Sequence, residues 1–125
     1  MARSHRPVVT VVDDDDAVRE SLRFFLETAG FEVDAFASAR DFLAAASKDS
    51  PLCMLIDQHM PQLTGLGLIR ALRERGVSFS AALMTGSPSP ELSQTAHALG
   101  VEEVLEKPLS DERLMHFITV ISGRP

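Results

Sequence analysis

The feature that most constrains this chain is an alternation. Five short apolar runs, at Val8–Val12 and at residues 31–36, 52–56, 81–84 and 104–105, are separated by stretches with helical spacing. The first and third runs do not alternate in polarity, as expected of strands covered on both faces. The first intervening stretch sets Val18, Leu22, Phe25, Leu26 and Ala29 on one helical face, and Gly30 reads as its stop. The second opens at Ser38, a predicted N-cap with Asp41 three residues on as a partial capping box, and runs through Phe42, Leu43 and Ala46. The third carries Leu66, Ile69 and Leu72 and closes on Arg73, Arg75 and Gly76, basic residues in a last turn before a glycine. The fourth begins near Pro90 and carries Leu92, Ala96 and Leu99 before Gly100, and the fifth begins near Ser110 with Leu114, Phe117, Ile118 and Ile121. Five strand–helix units in succession predict an α/β domain. Its sheet is five-stranded and parallel, with helices on both faces, right-handed crossovers and the flavodoxin-like strand order 2-1-3-4-5. A chain of 125 residues holds one such core, so residues 1–125 are expected to form a single domain without repeat or linker.

Composition narrows the function classes. Acidic residues number 18 against 12 basic, a formal net charge of −6, which argues against a nucleic-acid surface or an anionic membrane as a direct partner. Trp and Tyr are absent, which removes the usual stacking platforms for single strands. The one cysteine, Cys53, permits no intrachain disulfide and suits a reducing cytoplasm; it reads as a buried strand residue. No apolar run approaches the roughly 18 residues of a membrane span, and the N-terminal residues lack the apolar region and cleavage site of a signal peptide.

In an open parallel sheet the ligand site lies at the carboxyl ends of the strands. The first run ends in Asp13, Asp14, Asp15 and Asp16, the third in Asp57, the fourth in Thr85 and Gly86, and the fifth in Glu106, Lys107 and Pro108. In the order 2-1-3-4-5, the first and fifth strands stand roughly 14 Å apart. Carboxylates from one side and the long Lys107 from the other can therefore converge over Asp57. Clustered carboxylates repel unless a cation joins them, and hard oxygen donors suit Mg²⁺. A carboxylate can accept a phosphoryl group, provided cationic and hydrogen-bonding groups stabilise the transferring oxygens. Lys107 offers a charge, Thr85 a hydroxyl, and Gly86 a backbone N–H with no side chain in the way.

Val-Val-Asp13-Asp14-Asp, Leu-Ile-Asp57 followed by Met60-Pro61 and Gly65, Met-Thr85-Gly86 and Glu-Lys107-Pro108 stand in order at the strand ends. With these, the chain resembles a response-regulator receiver domain over essentially its whole length. The segments from Val18 through Leu22 and on to Phe36-Ala-Ser-Ala further resemble receivers of LuxR-class regulators. The resemblance implies that Asp57 accepts a phosphoryl group from a sensor histidine kinase or phosphotransfer protein. It implies Mg²⁺ ligated by Asp14, Asp57 and the main-chain carbonyl of His59, with Asp13 acting through water. Lys107 would pair with Asp57 and then with the phosphoryl group, and Thr85 would move toward it. Output would pass through the face of helix four, strand five and helix five, in a switch rather than an enzyme, with room for a homodimer on phosphorylation.

The chain departs from the family pattern in two places. Many receivers carry Tyr or Phe three residues before the lysine; here that position is Val104, so the usual aromatic switch cannot operate in that form. Ser87-Pro88-Ser89-Pro90 contains two prolines, which remove two N–H donors from a loop expected to move. His59 and Ser87, each two residues beyond a site residue, flank the approach of an attacking water.

Two other functions compete. Asp14-Asp15-Asp16-Ala17-Val18 matches the nucleophile motif of haloacid-dehalogenase-like phosphohydrolases, with Asp14 as nucleophile, but leaves Asp57 unexplained. A flavodoxin-like cofactor binder would lack aromatic residues to sandwich a flavin. Among the remaining residues, Asp15 or Asp16 is expected to cap the first helix. His97 and His116 are expected on helix surfaces, Met115 as core filler, and Phe24 as partly buried or, more sharply, as a docking residue for a kinase. Setting aside the aspartates at 13–16 and Asp57 leaves 13 acidic residues against 12 basic, so the acidity belongs to one corner.

Overall fold

The structure, a computed structural model, describes residues 6–45 and 51–123. Its elements run β1 (Val8–Val12), α1 (Asp16–Thr28), β2 (Glu32–Phe36), α2 (Ala39–Ala44), β3 (Cys53–Asp57), α3 (Gly65–Glu74), β4 (Ala81–Thr85), α4 (Pro90–Ala98), β5 (Glu103–Glu106) and α5 (Asp111–Ser122). The five strands form one sheet in the order β2-β1-β3-β4-β5, with every neighbouring pair parallel. This is the fold expected from the alternation. Strand bounds shift by a residue or so: β2 starts at Glu32, β3 and β4 extend onto Asp57 and Thr85, and β5 gains Glu103 and Glu106. Ala46, assigned by its spacing to the second helix, lies outside the described residues.

Each helix starts on a side chain whose oxygen accepts an otherwise unpartnered N–H. Asp15 caps α1, Ser38 caps α2, Thr64 caps α3, Ser89 caps α4 and Ser110 caps α5. Pro90 therefore stands at the first position of α4, where the missing N–H is one the helix would not have used. Only Pro88 removes a donor from the loop itself. At the other ends, Gly76 and Gly100 take positive φ values of 78° and 83°, a conformation that closes a helix without a Cβ clash.

The sheet separates two cores. On one side Val9, Val11, Leu55 and Met84 meet Leu22 and Leu26 of α1 and Leu114, Phe117 and Ile118 of α5. On the other Val12, Met54, Ile56 and Leu83 meet Leu68, Ile69 and Leu72 of α3 and Ala96 of α4. The central strands β3 and β4 are buried from end to end. Truncating Leu55 or Ile56 to alanine is expected to cost about 2–5 kcal/mol. Cys53 is fully buried on β3, as expected, and burial followed by the charge of Glu102 pushes its thiol up to about 12. Met115 packs half-buried against the first core, and His97 and His116 are exposed on their helices.

Phe24 overturns one expectation. It is 75% exposed rather than partly buried. It lies two positions from both Leu22 and Leu26, about 200° around a helix at 3.6 residues per turn. The stripe that buries those leucines turns its ring to solvent.

Candidate functional site

The chain leaves β1 for the outer strand β2, then returns past β1 to begin β3. The direction of winding reverses there, and the carboxyl ends of β1 and β3 open a crevice. Asp13 follows β1 directly and Asp57 is the last residue of β3. Both are buried, at 0% and 3% exposure, while Asp14 is exposed. One carboxylate oxygen from each of Asp13, Asp14 and Asp57 lies within 4.8 Å of the others.

Asp13 is held on every side. Its N–H donates to the Phe36 carbonyl at 3.1 Å, and its Oδ1 accepts from the Asp15 N–H at 2.9 Å. The Lys107 ammonium donates to its Oδ2 at 2.8 Å. The Arg19 guanidinium donates to its carbonyl at 2.6 Å and also pairs with Asp16. Lys107 spans the crevice as expected from β5 and also lies 3.2 Å from Asp57 Oδ1. The His59 N–H points at that same oxygen at 3.4 Å.

Burial raises the Asp57 pKa above its ordinary value, and the neighbouring Asp13 charge adds to the rise; Lys107 and the His59 N–H offset only part of it. For Lys107 burial acts to lower the pKa, but hydrogen bonds and charges from Asp13 and Asp57 prevail and raise it. The crevice thus holds three carboxylates against one ammonium, a deficit of positive charge. Hard oxygen donors, mutual closeness and an Asp57 destabilised as the anion all fit a divalent cation such as Mg²⁺. A buried ion pair of this kind contributes little net stability over an apolar replacement, so its presence points to chemistry rather than folding.

Around Asp57 the backbone is fitted tightly. The Gln58 N–H donates to the Met84 carbonyl at 2.8 Å, the Gly65 N–H returns to the Gln58 carbonyl at 3.2 Å, and Gln58 Oε1 accepts from the Leu66 N–H at 2.9 Å. A Cβ on Gly65 would stand 2.5 Å from the Asp57 carbonyl oxygen and 2.8 Å from Leu83 Cδ1, so only glycine permits this approach.

Thr85 is fully buried at the end of β4. Its carbonyl accepts from the Lys107 N–H at 2.8 Å, which fixes the ends of β4 and β5 together. Its Oγ1 accepts from the Ser87 N–H at 3.0 Å and lies 3.1 Å from His59 Nε2. Gly86 is exposed, and a Cβ there would meet nothing within 4 Å. Val104 is half-buried, packed against the second core, and pairs with Leu83 across the β4–β5 register.

Sequence reasoning brought Asp13, Asp14, Asp57, Thr85 and Lys107 to this crevice, and the structure gathers them there. Not foreseen were the side chain of Arg19 and the contact of the His59 ring with Thr85. Arg19 is three residues from Asp16, a spacing that faces it on a helix, but nothing in the sequence signals its reach to the Asp13 carbonyl. His59 and Thr85 follow or end adjacent strands, which is the only hint of their contact.

This fold, with an acid pair after β1, a buried aspartate ending β3, a hydroxyl ending β4 and a lysine ending β5, is that of a receiver domain of two-component signalling. Residues 9–119 match the response regulator receiver domain family, and the chain belongs to it. It is 40% identical over 116 residues to the transcriptional regulatory protein FixJ of Azorhizobium caulinodans, which covers 93% of this chain and 55% of that protein. It is 39% identical to FixJ of Bradyrhizobium diazoefficiens, over 88% of this chain and 54% of the other. The chain thus spans about half the length of these relatives, and its likeness to receivers of LuxR-class regulators is borne out by them. Among solved structures, the chemotaxis protein CheY4 of Vibrio cholerae superposes with a TM-score of 0.85 at 30% identity, covering 93% of this chain and 98% of that one. Full-length FixJ from B. japonicum superposes with a TM-score of 0.85 at 35% identity, over 96% of this chain and 59% of the other. Nothing in these likenesses points to a haloacid-dehalogenase-like hydrolase. None of the described helices is long and apolar enough to cross a membrane.

Proposed function

We propose that Asp57 is the phosphoacceptor, receiving its phosphoryl group from a phosphohistidine of a sensor kinase or phosphotransfer protein. An Asp57 carboxylate oxygen attacks phosphorus, the P–N bond breaks, and the imidazole leaves with the electron pair. The observation that carries this reading is the burial of Asp57 at the crevice with Lys107 3.2 Å from its Oδ1 and two further carboxylates beside it. Mg²⁺, when bound, supplies positive charge to the carboxylates and to the phosphoryl oxygens. Asp13, Asp14, Asp57 and the main-chain carbonyl of His59 are the residues that would hold it.

Lys107 keeps the acceptor carboxylate anionic and then pairs with the phosphoryl oxygens. Thr85 and the Gly86 N–H supply hydrogen bonds on the opposite flank. Replacing one carboxylate charge by about −2 upsets a site whose formal charges balance with the cation in place, and Thr85 carries the change to the face of α4, β5 and α5. That face is the site of output, including any homodimer formed on phosphorylation. The domain acts as a switch whose own chemistry is limited to phosphorylation from small donors and slow dephosphorylation.

Trapping the acyl phosphate with borohydride and locating the modified residue by mass spectrometry tests the assignment. Modification is expected on Asp57; modification on Asp14 would overturn it.

A further inference from the structure

The contact between His59 and Thr85 has no part in the scheme above. His59 is exposed, and its Nε2 stands 3.1 Å from Oγ1 of the fully buried Thr85. The same Oγ1 already accepts from the Ser87 N–H. A hydroxyl has one proton and two acceptor positions. Where the Thr85 hydroxyl donates to the imidazole, the proton it would offer a phosphoryl oxygen is already committed. Where the imidazole donates instead, the ring still holds the hydroxyl in its present orientation. On β5, Lys107 ties down the Thr85 carbonyl, but the side chain of Val104 is apolar and carries no group to hydrogen-bond the hydroxyl.

We propose that His59 is a positioning residue that holds the Thr85 hydroxyl in its resting place, so that movement of Thr85 toward a modified Asp57 breaks the His59–Thr85 bond and releases the imidazole. This rests on Asp57 being the phosphoacceptor. It makes the β3–α3 segment a second place where the modified state differs from the resting one, in addition to the α4–β5–α5 face. It also makes the side chain at position 59 a setting for how readily the switch turns. One bond lost on activation penalises the active state by a modest factor, of the size typical for a single exchanged hydrogen bond.

The test uses beryllofluoride with Mg²⁺ as the phosphoryl mimic, titrated into the 125-residue chain and into His59→Ala, Thr85→Val and the double variant. His59→Ala is expected to bind about three- to tenfold more tightly than wild type. On the Thr85→Val background the same substitution is expected to change nothing, since the bond it removes is already gone. His59→Gln, which keeps a side-chain hydrogen-bonding group, is expected to restore most of the wild-type affinity. In the unsubstituted chain, the ring nitrogen resonances of His59 are expected to shift on binding, a readout that requires no variant to fold. Equal affinities for wild type and His59→Ala, the same gain on the Thr85→Val background, or unmoved ring resonances in a saturated sample would each overturn the latch. A wild-type chain that fails to bind beryllofluoride at all would overturn the phosphoacceptor reading and the latch with it.

Discussion

At the β1 side of the crevice, Asp13 commits its N–H, its carbonyl and both carboxylate oxygens to named partners. At the β4 side, Thr85 has its carbonyl tied to Lys107 but its hydroxyl shared between Ser87 and His59, beside an exposed Gly86 and an apolar Val104. The first side is fixed before any phosphoryl group arrives, as electrostatic stabilisation requires. The second is held by bonds that can be exchanged one for another. A switch needs both: a site rigid enough to react and a flank loose enough to respond.

The comparison breaks most visibly at its centre. Asp57→Asn is expected to lower acid-labile phosphate incorporation to background, and persistent full labelling would contradict the acceptor assignment. Lys107→Ala is expected to slow phosphorylation on the order of 10²-fold, in line with the loss of one preorganised charge or donor at a reacting oxygen; initial rates with an acyl phosphate donor would measure it. Gly65→Ala tests how tightly the rigid side is fitted. The new Cβ presses on the Asp57 carbonyl, and denaturant unfolding should show a loss of about 1–3 kcal/mol.

The rigid side also carries its own electrostatic strain, because burial and Asp13 oppose the Asp57 charge. Without added cation, Asp57→Asn is therefore expected to stabilise the fold, read as a rise in the melting midpoint. A fall would mean that the pairing with Lys107 outweighs the repulsion. The smallest effect belongs to the loose side. Val104→Phe is expected to change unfolding free energy by less than about 0.5 kcal/mol and phosphorylation rate by less than a factor of two. A tenfold loss of rate would show that β5 is as tightly coupled to the chemistry as β1.

Legibility in the sequence follows the same division. Strands buried on both faces announce themselves as apolar runs without alternation, and Val8–Val12, interrupted only by the buried Thr10, is found with those very bounds. The charged corner was readable because strand order alone brings Asp13, Asp57 and Lys107 together, whatever their rotamers. The loose flank was not readable. The His59–Thr85 contact joins residues 26 apart through two side-chain orientations that no spacing rule constrains. Arg19 was hidden for a related reason, since its bond to a loop carbonyl depends on where the chain turns before α1. Phe24 lies off the stripe of Leu22 and Leu26 by spacing alone, but spacing does not say how little of the ring the neighbouring elements cover.

The state of Cys53 has a practical consequence. The chain's only thiol is sealed inside β3 and held protonated well above neutral pH, where it offers little thiolate to an electrophile. The molecule therefore comes with a silent background for maleimide chemistry. Cysteines placed at Phe24 and Val120, both exposed, would take dyes or spin labels without prior removal of a native thiol. Distances across the α1 and α5 surfaces would then be measurable in a chain otherwise unaltered.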